Sequence, residues 1–121
     1  MHQLRLLTAA AALLVPAAVI TGCHSPYIQA TVHNRSGQTI SVVEVDYPSA
    51  SFGIQNLASG ADFHYRFKIL GQGPTKITYS DAAHREHTSN GPSLNEGTEG
   101  LLDIFIDPAD VRWQTTFKAG H

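Results

Sequence analysis

The chain of 121 residues has one cysteine, one methionine and one tryptophan, and only 15% of its residues are charged. The single cysteine excludes an intrachain disulfide, so a folded domain here must draw its stability from its core. Eight lysines and arginines against ten acidic residues, with the basic residues scattered, exclude the clustered basic patch of a nucleic-acid binder. They equally exclude general electrostatic attraction to an anionic membrane surface. No Gly-x-Ser-x-Gly elbow occurs. Ser36 and Ser59 each precede a glycine, which turns explain without catalysis. Beyond residue 23, no window of ten residues carries the spacing of an amphipathic helix.

What is present divides the chain in two. Arg5 is followed by Leu6 through Ile20, apolar apart from Thr8 and Pro16. That run is shorter than the roughly 20 residues of a spanning helix. A positive start, a short apolar stretch and small residues after it make the three parts of a secretory signal. Residues Ile20-Thr21-Gly22-Cys23 then resemble a bacterial lipobox, in which an aliphatic residue and two small ones precede the cysteine that receives lipid. The resemblance covers residues 1–23 and implies a lipoprotein: cleavage before Cys23, a diacylglyceryl group on its sulfur, and acylation of the new N-terminus. Two or more acyl chains make a stable anchor. Because His24, and not Asp, follows the cysteine, the resemblance also implies the periplasmic side of an outer membrane. In an organism without one, it implies the outer face of the plasma membrane. The alternative is an ordinary secretory cut near Ala17-Ala18, which leaves Cys23 a free thiol.

The expected organisation is a signal peptide over 1–22, the lipidated cysteine and a tether over 23–27, a β-domain over 28–118 and a tail over 119–121. Losing Arg5 with the leader makes the chain, at −2 overall, one unit more negative. Only His24-Ser25-Pro26-Tyr27 separates the lipid from the first strand, a reach of about 15 Å at ~3.3 Å per extended residue. The domain is therefore expected close to the bilayer.

Within the domain, apolar residues alternate with polar ones. Ile28, Ala30 and Val32 predict a first strand, and Asn34 to Gly37 a turn. Thr39 to Tyr47 predicts a second strand, with Ile40 and Val42 on one face and Val43, Val45 and Tyr47 on the other. A β-bulge at Val42-Val43 explains that change of phase; a central strand covered on both faces also explains it. These two runs read as a hairpin. Phe52 and Ile54, then Phe63 to Ile69, then Ile77 and Tyr79, then Glu86 to Thr88 predict four more strands. Leu102 to Ile106 and Val111 to Phe117, joined by Asp107-Pro108-Ala109-Asp110, predict the last pair. Seven or eight short strands with no helix define an all-β fold, a small antiparallel β-sandwich of immunoglobulin-like size.

Three sets of residues are candidates for chemistry. Asp81, His84 and His87, with His64, carry groups that suit Zn²⁺ or Cu²⁺ but match no recognised ligand spacing. The acidic run Asn95 to Gly100 lacks the alternating ligands of a calcium loop. Tyr47, Phe105 and Trp113 fall opposite their strands' main apolar stripes and are candidates for a contact surface, unless both faces are buried. The expectation is a lipid-anchored, non-catalytic binding or accessory module of the cell envelope without a cofactor. Its partners are the membrane, through lipid on Cys23, and an envelope protein. The alternative is a periplasmic metal- or small-ligand-binding lipoprotein using the Asp81/His84/His87 region.

Overall fold

The computed structural model describes residues 25–118. The candidate leader, Cys23 and the 119–121 tail lie outside the described residues. Eight strands form in chain order: β1 Ile28–Asn34, β2 Ile40–Tyr47, β3 Ala50–Leu57, β4 Asp62–Phe67, β5 Lys76–Ser80, β6 Glu86–Asn90, β7 Gly100–Ile106 and β8 Val111–Phe117. They make two four-stranded sheets, ordered β4-β1-β7-β8 and β3-β2-β5-β6. The all-β sandwich expected from the alternation is the fold observed.

The core lies between the sheets. Ile28, Ala30 and Val32 of β1 and Leu102, Ile104 and Ile106 of β7 face Ile40, Val43 and Val45 of β2 and Ile77 and Tyr79 of β5, all buried. Where the edge strands β3 and β4 meet, Phe52 stacks on Tyr65 at 4.4 Å and Tyr47 on Phe67 at 4.0 Å, closing that side of the sandwich.

Local patterns announce the strands, whereas pairing differs from expectation in two places and the facing of residues in a third. β1 and β2 are not a hairpin. β1 pairs antiparallel with β4 and parallel with β7, while β2 pairs with β3 and β5. The cause is Asn34, whose backbone N–H donates to the Ala61 carbonyl while Arg35 N–H donates to that of Ile106. The chain is held against its own sheet until it crosses to the other. The parallel β1–β7 contact is the second difference, since it joins segments far apart in sequence.

Third, Ile40 and Val42 do not share a face. Ile40 is buried with Val43 and Val45, while Val42 is 45% exposed. Asn56, opposite this shift, has φ 57°, a left-handed conformation that Asn tolerates. Both strands change phase together, so the β2–β3 register stays the same from Ile40↔Leu57 to Tyr47↔Ala50. The loop after β6 is also fastened rather than free. Leu94 is buried, and its N–H and carbonyl bond with those of Gly73 at 2.8 and 3.0 Å.

Candidate functional site

β1 is central in its sheet, and its odd-numbered residues point away from the core. Register then determines what lies beside each of them on the outer face. Gln29 sits between Arg66 and Leu101, Thr31 between His64 and Asp103, and His33 between Asp62 and Phe105. β8 extends these rows with Thr116, Gln114 and Arg112.

The His33 row is closed on itself. The imidazole Nδ1 lies 3.0 Å from Asp62 and Nε2 lies 2.9 Å from Asp103. Its ring stacks on Phe105 with centroids 4.3 Å apart and planes within 8°. The guanidinium of Arg112 covers Phe105 at 4.4 Å and donates to Asp107. Arg35 adds a contact to Asp62 at 3.0 Å. Burial pushes the Asp62 carboxyl upward, yet the bonds from His33 and Arg35 outweigh it and hold the group below its ordinary value. The polar side chains of this row satisfy one another, so it acts as a rigid frame.

The other two rows are open. Two adjoining concavities of about 460 and 490 Å³ share Gln29, Arg66 and Leu101. One reaches Thr31, His64 and Asp103; the other reaches Ser25, Tyr27, Glu99, Thr116 and Lys118. Together they form a groove along β1 in the size range of small-ligand sites, about 300–1,000 Å³. Its lining mixes polar side chains with apolar surface from Ala30, Tyr65 and Leu101, the last 45% exposed. Asp103 links the two parts of the face, since it lines the groove and also holds His33. Arg66 lies over the Tyr27 ring at 4.3 Å and forms no ion pair among the described residues. Lys118, by contrast, is tied to Glu99 at 3.3 Å.

The three aromatic candidates do not make one surface. Tyr47 has the parity of Val43 and Val45 and belongs to the aromatic seam, where burial and then the neighbouring Tyr65 raise its phenol pKa. Trp113 pairs with Ile104, packs against the core and donates from Nε1 to Ser89 Oγ at 3.1 Å. Phe105 does face outward, but His33 and Arg112 cover it.

The four candidate metal ligands are also separated. Asp81 and His87 meet, with Nε2 2.9 Å from Oδ2. His84 occupies the β5–β6 turn with φ 62°, and His64 lies on the other sheet, bonded to Thr31 at 3.0 Å. Among the described residues, no group of three histidine, cysteine or acidic side chains is arranged to hold a metal ion. Asp81 instead organises its turn, accepting from the N–H groups of Ala83 and Arg85, each at 2.9 Å. The His87 bond first, then the Arg85 N–H, lower its carboxyl from 3.8 to about 2.

A depressed carboxylate contributes stability that is complete above its unfolded value and disappears as pH falls through its folded one. The Asp81 contribution is therefore expected to vanish between pH 3.8 and about 2. The carboxyl ¹³C resonance of Asp81 should titrate near 2, moving toward the ordinary value in His87→Ala. A wild-type midpoint at the ordinary value contradicts the geometry.

The groove residues Gln29, Arg66, Leu101 and Asp103 were not visible as a set in the sequence. Alternation placed each at a polar or outward position, but their meeting depends on the β1–β7 pairing.

No protein-family model matches the chain, and no curated protein matches it in sequence. Among solved structures, it is similar to the NMR structure of a protein from Eubacterium rectale, with a TM-score of 0.55 and 12% identity. The match covers 78% of this chain and 93% of that one. At that identity the likeness is one of fold, that of a small β-sandwich.

Proposed function

We propose that this protein is a lipid-anchored, non-catalytic binding or accessory module of the cell envelope, held at the bilayer through Cys23. Its contact surface is the outer face of the β4-β1-β7-β8 sheet. The anchor reading is supported by Arg5, the short apolar run and the lipobox-like Ile20-Thr21-Gly22-Cys23, together with the lack of any second cysteine.

The observation that carries the binding reading is where the groove opens. Ser25 and Tyr27 line it, so the sequence that tethers the domain to lipid also forms one wall of its concave face. The β-sheet supplies the rigid floor, and the closed His33 row fixes Asp103 at its far end. A rigid scaffold with unfilled polar groups suits recognition.

Cell fractionation tests the anchor. Wild-type protein is expected in the membrane fraction, and Cys23→Ser is expected to move it to the soluble one. Wild-type protein found soluble refutes the proposal.

A further inference from the structure

We infer that the groove takes the phosphate of a glycerophospholipid headgroup, with Arg66 as its anion contact. This rests on the lipid-anchor reading and deepens it. Three arginines or lysines around this sheet are already committed, Arg35 to Asp62, Arg112 to Asp107 and Lys118 to Glu99. Arg66 is not. Its guanidinium is held over Tyr27, so the planar fork of donors is oriented before any ligand arrives, and that geometry suits bidentate contact with a phosphate.

The neighbours fit the remaining parts of such a ligand. Gln29 is directly beside Arg66 in register, and Ser25 and Thr116 bring hydroxyls to the same concavity, whose one carboxylate, Glu99, is paired with Lys118. These supply neutral hydrogen bonds to the other phosphate oxygens and to glycerol. The exposed Leu101, on the other side of Gln29, offers an apolar contact where the acyl chains begin.

Position selects the source of the phosphate. Ser25 is two residues beyond Cys23, within about 7 Å along even a fully extended chain. A lipid on Cys23 therefore puts the mouth of the groove at headgroup depth. The acidic balance of the chain gives no general attraction to membranes, so the contact is local. A short tether creates effective concentrations of millimolar order or more, and a weak site fills under such conditions. The consequence is a defined orientation: the Arg66 row meets the bilayer, and the His33 row stands about 13 Å further along β1.

The test uses the lipid-free form carrying Cys23→Ser, titrated with dihexanoyl phosphatidylglycerol below its micelle concentration and followed by NMR. Saturable shifts are expected at Tyr27, Gln29, Arg66 and Leu101. Arg66→Gln should weaken binding about tenfold. Arg85→Gln, which removes an arginine in the β5–β6 turn, should leave binding unchanged, and unperturbed spectra of both variants confirm their folds.

Equal binding by Arg66→Gln overturns the inference. So does inorganic phosphate binding as tightly as the lipid, which makes this a free-anion site, or displacement of the lipid by a muropeptide carboxylate. Acylated Cys23 without headgroup binding defeats this inference and leaves the anchor standing. Headgroup binding by a protein whose natural Cys23 bears no lipid defeats the anchor alone.

Discussion

Asn34→Ala is expected to lower the unfolding free energy by about 3 kcal/mol, a large share of the roughly 5–15 kcal/mol available to a small domain. Asn34 is fully buried. Its side-chain N–H groups donate to the carbonyls of Gln38 at 2.8 Å, Leu57 at 2.9 Å and Ala58 at 3.1 Å. Its Oδ1 accepts from Ser36 N–H at 3.1 Å and Ser36 Oγ at 2.7 Å. One side chain thus joins the β1–β2 crossing to the β3–β4 connection. Alanine removes both donors and leaves buried carbonyls without partners, and each such loss costs about 1–3 kcal/mol. Asn34→Asp is the sharper variant, because it keeps the size while turning a carboxylate toward three carbonyl oxygens. Urea unfolding reads both effects as a lower midpoint at unchanged slope. A loss for Asn34→Ala of under about 1 kcal/mol, within the reach of an ordinary surface change, contradicts this account.

Ile104→Ala is expected to cost about 4 kcal/mol, near the upper part of the range for truncating a buried aliphatic side chain. Ile104 has no exposed surface and lies in the middle of β7, paired with Val32 of β1 and Trp113 of β8. Central packing leaves the cavity few ways to collapse. Without an intrachain disulfide the domain has no covalent reserve to absorb the loss. Ile104→Val, which removes a single methyl group, should cost about 1 kcal/mol. Equal effects of the two substitutions, measured by the same unfolding assay, contradict central burial of this residue.

Strands were legible in the sequence because alternation is a local signal. Ile28, Ala30 and Val32, or Leu102, Ile104 and Ile106, announce both the strand and its buried face. The aromatic residues of β4 do the same, since Phe63 and Phe67 pack inward while His64 and Arg66 point out. Pairing was not legible to the same degree. The turn at Asn34 to Gly37 has the residues of a hairpin turn, but the bonds that send the chain across the sandwich come from Ala61 and Ile106. Those partners are remote in sequence, and no local pattern names them.

The same limit explains the candidate site. His33 and Asp103 each take an outward position on an alternating strand, and nothing local in the sequence joins them. Parallel pairing of β1 with β7 and antiparallel pairing with β4 bring Asp62 and Asp103 to opposite edges of one imidazole. Phe105 faces away from Leu102, Ile104 and Ile106, yet its exposure depends on His33 and Arg112, which cover it. Tyr47 was placed on a face apart from Ile40, and the coupled phase shift at Ser41 and Asn56 returns both to the core side. The proximity of Asp81 and His87 followed from the turn between them, whereas the orientation of His84 followed from a left-handed backbone that the sequence did not signal.

Lipid attachment is the claim on which the proposed function and the orientation at the bilayer depend, and intact mass spectrometry of protein purified from membranes tests it most directly. The account predicts a mature chain that begins at Cys23 and carries the mass of a diacylglyceryl group, with or without a further acyl chain on its N-terminus. A mature chain that begins elsewhere, or one with an unmodified Cys23 thiol, contradicts it.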